Sequence, residues 1–90
     1  MSYSANNNIS NLIIQWGGAG SFNTKQGSKT VNFATSFNHI GSVVVSSSNS
    51  MCIITRANIT ANNFTFAWRH IDGSTGSIAE SSTSYIAVGY

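Results

Sequence analysis

Phe64-Thr65-Phe66-Ala67-Trp68-Arg69 alternates large aromatic side chains with small or polar ones over its whole length. Successive side chains of a strand point to opposite faces, so Phe64, Phe66 and Trp68 share one face. Three co-facial aromatics suit a core, or equally a platform on which bases or sugars stack. The rest of the chain offers little other core material, which favours the core. The neighbouring runs have the same β character. They are Leu12–Trp16, Thr30–Phe33, Ile40–Val45, Met51–Arg56 and the closing Tyr85–Tyr90. Turn residues separate them: Gly17, Gly18 and Gly20, then Ser46–Ser50, then the polar stretch Asp72–Ser84, which reads as a long loop. Ile40–Val45 is too continuously apolar for a strand with one wet face. The predicted fold is all-β, a small antiparallel β-sandwich of about six strands over residues 12–90. Residues 1–11 form a polar, uncharged lead-in.

Composition supports that reading. The chain has 90 residues, of which 41% are apolar and only 7% charged. It holds one Leu against 10 Ile and 5 Val, and no Pro, so strong helix formers are scarce while β-branched residues abound. Ser, Thr and Asn occupy 35 of the 90 positions. No apolar run approaches the roughly 18–20 residues of a membrane-spanning helix, so membrane insertion is not expected. The one cysteine, Cys52, excludes an internal disulfide and reads as a small buried hydrophobe. A net charge of +2 is too small for an ordinary non-specific nucleic-acid binder. A domain this small buries only about 60–65% of its extended surface. With no staple in sight, association of copies is the expected source of added stability. Lys and Glu are depleted at protein interfaces, and here they are depleted throughout.

The inventory for chemistry is short. Asp72 and Glu80 are the only carboxylates and stand close together in the expected loop, a poor support for a two-carboxylate hydrolase. His39 and His70 have no metal-ligand spacing, and one cysteine makes no cluster. A Ser-His-Asp set built on His70 and Asp72 carries no information among 16 serines. Gly17-Gly18-Ala19-Gly20 and Gly27-Ser28-Lys29-Thr30 fail the context of phosphate-binding loops and read as turns. No enzyme activity, cofactor or metal is expected.

Three segments resemble one family, the C-terminal receptor-binding domain of bacteriophage tail-fibre proteins. Ile14-Gln15-Trp16-Gly17 resembles its opening motif, and Val31-Asn32-Phe33-Ala34-Thr35-Ser36-Phe37 its Val-x-Phe-Pro-x-x-Phe segment. Tyr85-Ile86-Ala87-Val88-Gly89-Tyr90 is similar to its terminal strand. Ala34 replaces the usual proline, and Tyr85 a common tryptophan. The resemblance implies a homotrimer at the distal end of a tail fibre, on a virion or a tailocin. It implies a tip that binds bacterial surface polysaccharide such as lipopolysaccharide, with residues 1–11 leading in from the shaft. Two other classes compete: a small β-barrel binding single-stranded nucleic acid, and a purely structural trimerisation module.

If successive strands reverse direction from a shaft at the N-terminus, the distal loops are Gly17–Lys29, Ser46–Ser50 and His70–Ser84. Thr35–His39 and Ala57–Asn63 then face the shaft. The distal set holds most of the charged side chains, and Asn, Ser, Thr and Tyr suit sugar hydroxyls. Asn23, Lys25, Asn49, Arg69, His70 and Asp72 are the expected glycan contacts. The closing strand is expected to be structurally indispensable, with Gly89 marking a close approach of a neighbouring backbone or ring.

Overall fold

A computed structural model describes residues 12–90, apart from the side chain of Ala57, and the lead-in at 1–11 lies outside them. Six strands follow one another: β1 (Ile13–Thr24), β2 (Gln26–Asn32), β3 (Ile40–Ser47), β4 (Cys52–Ile59), β5 (Asn63–His70) and β6 (Ser77–Gly89). They form two antiparallel three-stranded sheets, ordered β1-β6-β3 and β2-β5-β4. The inner faces share one core, so the all-β sandwich holds.

The alternation of β5 sets that core. Phe64, Phe66 and Trp68 are buried, and Phe64 and Phe66 are completely so. From the facing sheet, Phe22 stacks on Trp68 at 4.5 Å and Tyr85 tilts against Phe64 at 5.1 Å. Phe33 and Phe37 make an edge contact at 5.0 Å and close one end. The three aromatics of β5 are therefore core, and no base-stacking platform remains on that strand.

Two expected loops are largely strand. β1 runs through Gly17–Gly20 to Thr24, and β2 begins at Gln26, so the loop expected over Gly17–Lys29 reduces to a turn at Lys25. The glycines are not turn residues. Gly20, at φ 100, absorbs a bulge where the register passes from Gly18↔Ser84 to Gly20↔Thr83. Likewise Asp72–Ser84 is strand from Ser77 onward. Its hydroxyls hid that, because they are satisfied inside the sandwich. Thr83 Oγ1 donates to the Gly20 carbonyl at 2.6 Å, and Asn49 Nδ2 donates to Ser81 Oγ at 3.2 Å.

β3 also departs from expectation. Within a single chain Val43 is buried while Val44 is exposed, so one copy alone leaves one face of the strand open. On β6 the inward set is Tyr85, Ala87 and Gly89, and Ile86 faces outward. Cys52 is only half-buried.

The three resembling motifs meet at one end. The Gln15 amide clamps the Thr35 backbone, Nε2 donating to its carbonyl at 2.6 Å and Oε1 accepting from its N–H at 3.0 Å. Tyr90 exchanges backbone hydrogen bonds with His39, its N–H donating at 2.8 Å and its carbonyl accepting at 2.6 Å. A Cβ on Gly89 would lie 2.7 Å from Phe37 Cδ1, the close approach its identity suggested. These motif residues tie strands together at that end.

Candidate functional site

Antiparallel succession brings the β1–β2, β3–β4 and β5–β6 connections to the end opposite Ile13 and Gly89. Backbone bonds knit all three. Lys25 N–H donates to the Gly76 carbonyl at 2.9 Å, and His70 N–H donates to the Lys25 carbonyl at 2.7 Å. Ile71 N–H donates to the Met51 carbonyl at 2.9 Å. Trp68 Nε1 donates to the Thr24 carbonyl at 2.9 Å, so the core aromatic also fixes the first turn.

On this frame sits a compact polar cluster. Lys25 Nζ is 3.1 Å from Asp72 Oδ2 and donates to Ser74 Oγ at 2.8 Å. Asp72 Oδ1 accepts from Ser74 Oγ at 2.7 Å and from Ser74 N–H at 2.8 Å. These Ser74 bonds come first in holding the Asp72 carboxyl well below the usual carboxylate range, with Lys25 and then His70 adding to them. His70 Nδ1 lies 3.0 Å from Asp72 Oδ1 and 3.3 Å from Asp72 N. An Nδ1–H donates to the carboxylate, and a bare Nδ1 accepts from the backbone N–H.

The six expected contacts therefore divide. Lys25, His70 and Asp72 form one cluster. Asn49 lies in the adjacent turn, where Oδ1 accepts from Met51 N–H at 2.9 Å and Nδ2 reaches Ser81. Asn23 is exposed on β1. Arg69 lies on the outer face of β5, in register with Gln26 on β2 and Ile53 on β4. Among the described residues its guanidinium has no hydrogen-bonded or ionic partner. Glu80 belongs to β6 rather than to a loop with Asp72.

Arg69 also borders a surface groove that the sequence did not reveal. The groove measures about 460 Å³ and is lined by Gln26, Gly27, Ile53, Thr55, Ala67, Trp68 and Arg69. It adjoins the polar cluster through consecutive residues of β2 and β5. Ile53 and Ala67 supply an apolar floor, while Gln26, Thr55 and Arg69 supply hydrogen-bonding groups. Only the strand register reveals this grouping, because its members come from three separate strands. Among the described residues no three metal-ligating side chains come together.

The family model described as "Putative tail fiber protein gp53-like, C-terminal" matches residues 9–90. The chain belongs to this family. No curated protein matches the sequence. Among solved structures, the R1 pyocin fibre of P. aeruginosa, comprising C-terminal residues 323–701, superposes with a TM-score of 0.66 at 17% identity. The match covers 88% of this chain and 23% of the pyocin fibre chain, and at that identity it shows a common fold. Gln15, Phe33, Phe37, Tyr85 and Gly89, from the three resembling segments, lie at the end of this tail-fibre domain opposite the polar cluster.

Proposed function

We propose that this tail-fibre domain is the receptor-binding tip of a phage, prophage or tailocin fibre. It is assembled as a homotrimer and adsorbs to a host-cell surface glycan such as lipopolysaccharide. The observation that carries the reading is the gathering of Lys25, His70, Asp72 and Ser74 at one end, beside the groove of Gln26, Thr55 and Arg69. A sugar ring offers hydroxyls to hydrogen-bonding side chains and a C–H face to an apolar floor, and both are present together here. The site acts by binding alone, without hydrolysis, metal or cofactor. With the fibre shaft joined at the N-terminal side, the cluster lies at the distal tip of the particle.

The test is adsorption of the domain to intact host cells. Alanine at Lys25, His70 and Asp72 together is expected to abolish adsorption while light scattering still reports a trimer. Unchanged adsorption counts against this placement. A trimer that adsorbs to no host surface supports instead a purely structural trimerisation module. The nucleic-acid reading loses its main feature, because the β5 aromatics are buried.

A further inference from the structure

The outer face of the β1–β6–β3 sheet carries a row of uncovered apolar side chains. Trp16 pairs in register with Ile86, and Ile86 with Val44, so the three cross the sheet from one edge to the other. They are 73%, 43% and 59% exposed. Ile14 and Val88 extend the row toward Gly89. Trp16 alone presents on the order of 150 Å² of aromatic surface. The row with its flanks approaches the few hundred Å² at which an exposed patch marks an interaction site.

Charge sharpens the contrast between the two sheets. β1 and β3 contain no charged residue, and the single one on β6, Glu80, lies toward the Lys25 end. The other sheet is guarded at both edges. Lys29 on β2 and Arg56 on β4 each stand opposite Phe66, whose side chain enters the core. Both cations therefore lie on the inward side of an edge strand. Lys29 Cδ comes within 3.3 Å of where a Gly20 Cβ would sit. Inward-pointing charge on an edge strand blocks the addition of another chain. The edges of the β1–β6–β3 sheet have no such charge.

We infer that copies of this chain meet through the outer β1–β6–β3 face, as a closed ring in which Val44 of one copy packs beside Trp16 of the next. The inference rests on the homotrimer reading and names the surface that makes it. A cyclic contact apposes unlike patches, and the two ends of this row are unlike. One end is a small β-branched side chain. The other is a large aromatic beside a recess of about 260 Å³ lined by Ile14, Gln15, Trp16, Ala34, Thr35 and Tyr85. A charge-free apolar surface anchored by an aromatic side chain, here Trp16, suits an interface centre.

The test uses the full chain. Trp16→Lys and Val44→Lys are each expected to give folded monomers by light scattering at micromolar concentration, with an unchanged β-sheet circular dichroism spectrum. Thr65→Lys, on the outer face of the other sheet, is expected to stay assembled. Assembly of both lysine variants like the parent overturns the surface while leaving the trimer reading intact. A monomeric parent overturns both. Should a lysine variant fail to fold, cysteines decide: Trp16→Cys with Val44→Cys in a Cys52→Ser background. Within one chain these positions are two strand spacings apart, about 9–10 Å, beyond disulfide reach. Oxidation is expected to give a covalent trimer on a non-reducing gel. Crosslinked dimers from Val44→Cys alone would show a two-fold contact and refute the ring.

Discussion

Gly89→Ala tests how tightly the closing strand is held. Gly89 pairs with Ile13 on β1 and with Ile40 on β3, so β6 is the central strand at that point. A Cβ there would meet the His39 carbonyl oxygen inside contact distance, with Phe37 Cδ1 at 2.7 Å and Ile40 Cα at 2.9 Å. Two of the three obstructing atoms belong to backbone that hydrogen bonds between His39 and Tyr90 pin in place. The methyl group has no flexible neighbour to displace except the Phe37 ring, itself packed on Phe33. Overpacking costs about 1–3 kcal/mol, and rigid backbone on the obstructing side places this substitution near 3 kcal/mol. For a domain of this size that corresponds to a fall in Tm of roughly 12–24 °C. The assay is thermal unfolding followed by circular dichroism, at one fixed protein concentration because Tm of any associating chain depends on concentration. Gly18→Ala is the control, since its Cβ would meet only the Thr83 carbonyl oxygen at 3.9 Å. It is expected to leave Tm unchanged or slightly raised. If Gly89→Ala matches Gly18→Ala, the close approach of the His39–Ile40 backbone is wrong.

Three further outcomes are expected. The Asp72 carboxyl titrates well below its ordinary value of 3.8 in the folded chain, so its contribution is present above that value and is lost as pH falls below it. Between about pH 4 and pH 2 the parent should therefore lose Tm more steeply than Asp72→Asn, and parallel profiles would remove Asp72 from the account. Deleting Ile86–Tyr90 removes the C-terminal part of the central strand, which pairs with Ile13–Trp16 of β1 and Ile40–Val44 of β3, and should leave the chain insoluble or unassembled; a soluble folded trimer would show the segment to be a dispensable tail. Incubation with host polysaccharide should release no reducing ends, and release abolished by Glu80→Gln or Asp72→Asn would establish the hydrolase denied here.

Patterns that fit a single strand could be read directly. β5 was legible because Phe64, Phe66 and Trp68 alternate, and they are the buried centre of the core. The succession of six strands was legible from β-branched runs between turn residues. What failed had a common cause: residues whose local preference is for turns were recruited by pairing. Gly17, Gly18 and Gly20 read as a turn, yet a bulge takes up Gly20 and β1 continues to Thr24. Ser81 and Thr83 read as loop because hydroxyls prefer water, yet Asn49 Nδ2 donates to Ser81 and Thr83 donates to the Gly20 carbonyl. The candidate site was partly legible. Lys25, His70 and Asp72 could be grouped by counting strand reversals. The groove of Gln26, Thr55 and Arg69 could not, because register across three strands is a tertiary property.

The scarcity of charge follows from where each charged side chain stands. Lys29 and Arg56 guard the edges of one sheet. Lys25 and Asp72 bind two connections to each other at the turn end, and Arg69 borders the groove beside them. Glu80 lies on β6, away from the Trp16–Ile86–Val44 row. In the proposed trimer any charge added to that row would have to be desolvated, at a cost greater than a surface ion pair returns. Serine, threonine and asparagine escape this penalty. They keep the remaining surface in contact with water and still pair across strands, as Ser46 does with Ser84 at 3.0 Å and Thr30 with Thr65 at 2.9 Å. On the proposed reading, in which the chain associates through one sheet face and binds through one end, few positions remain where a charge can stand without cost, and all six charged residues lie away from the Trp16–Ile86–Val44 row.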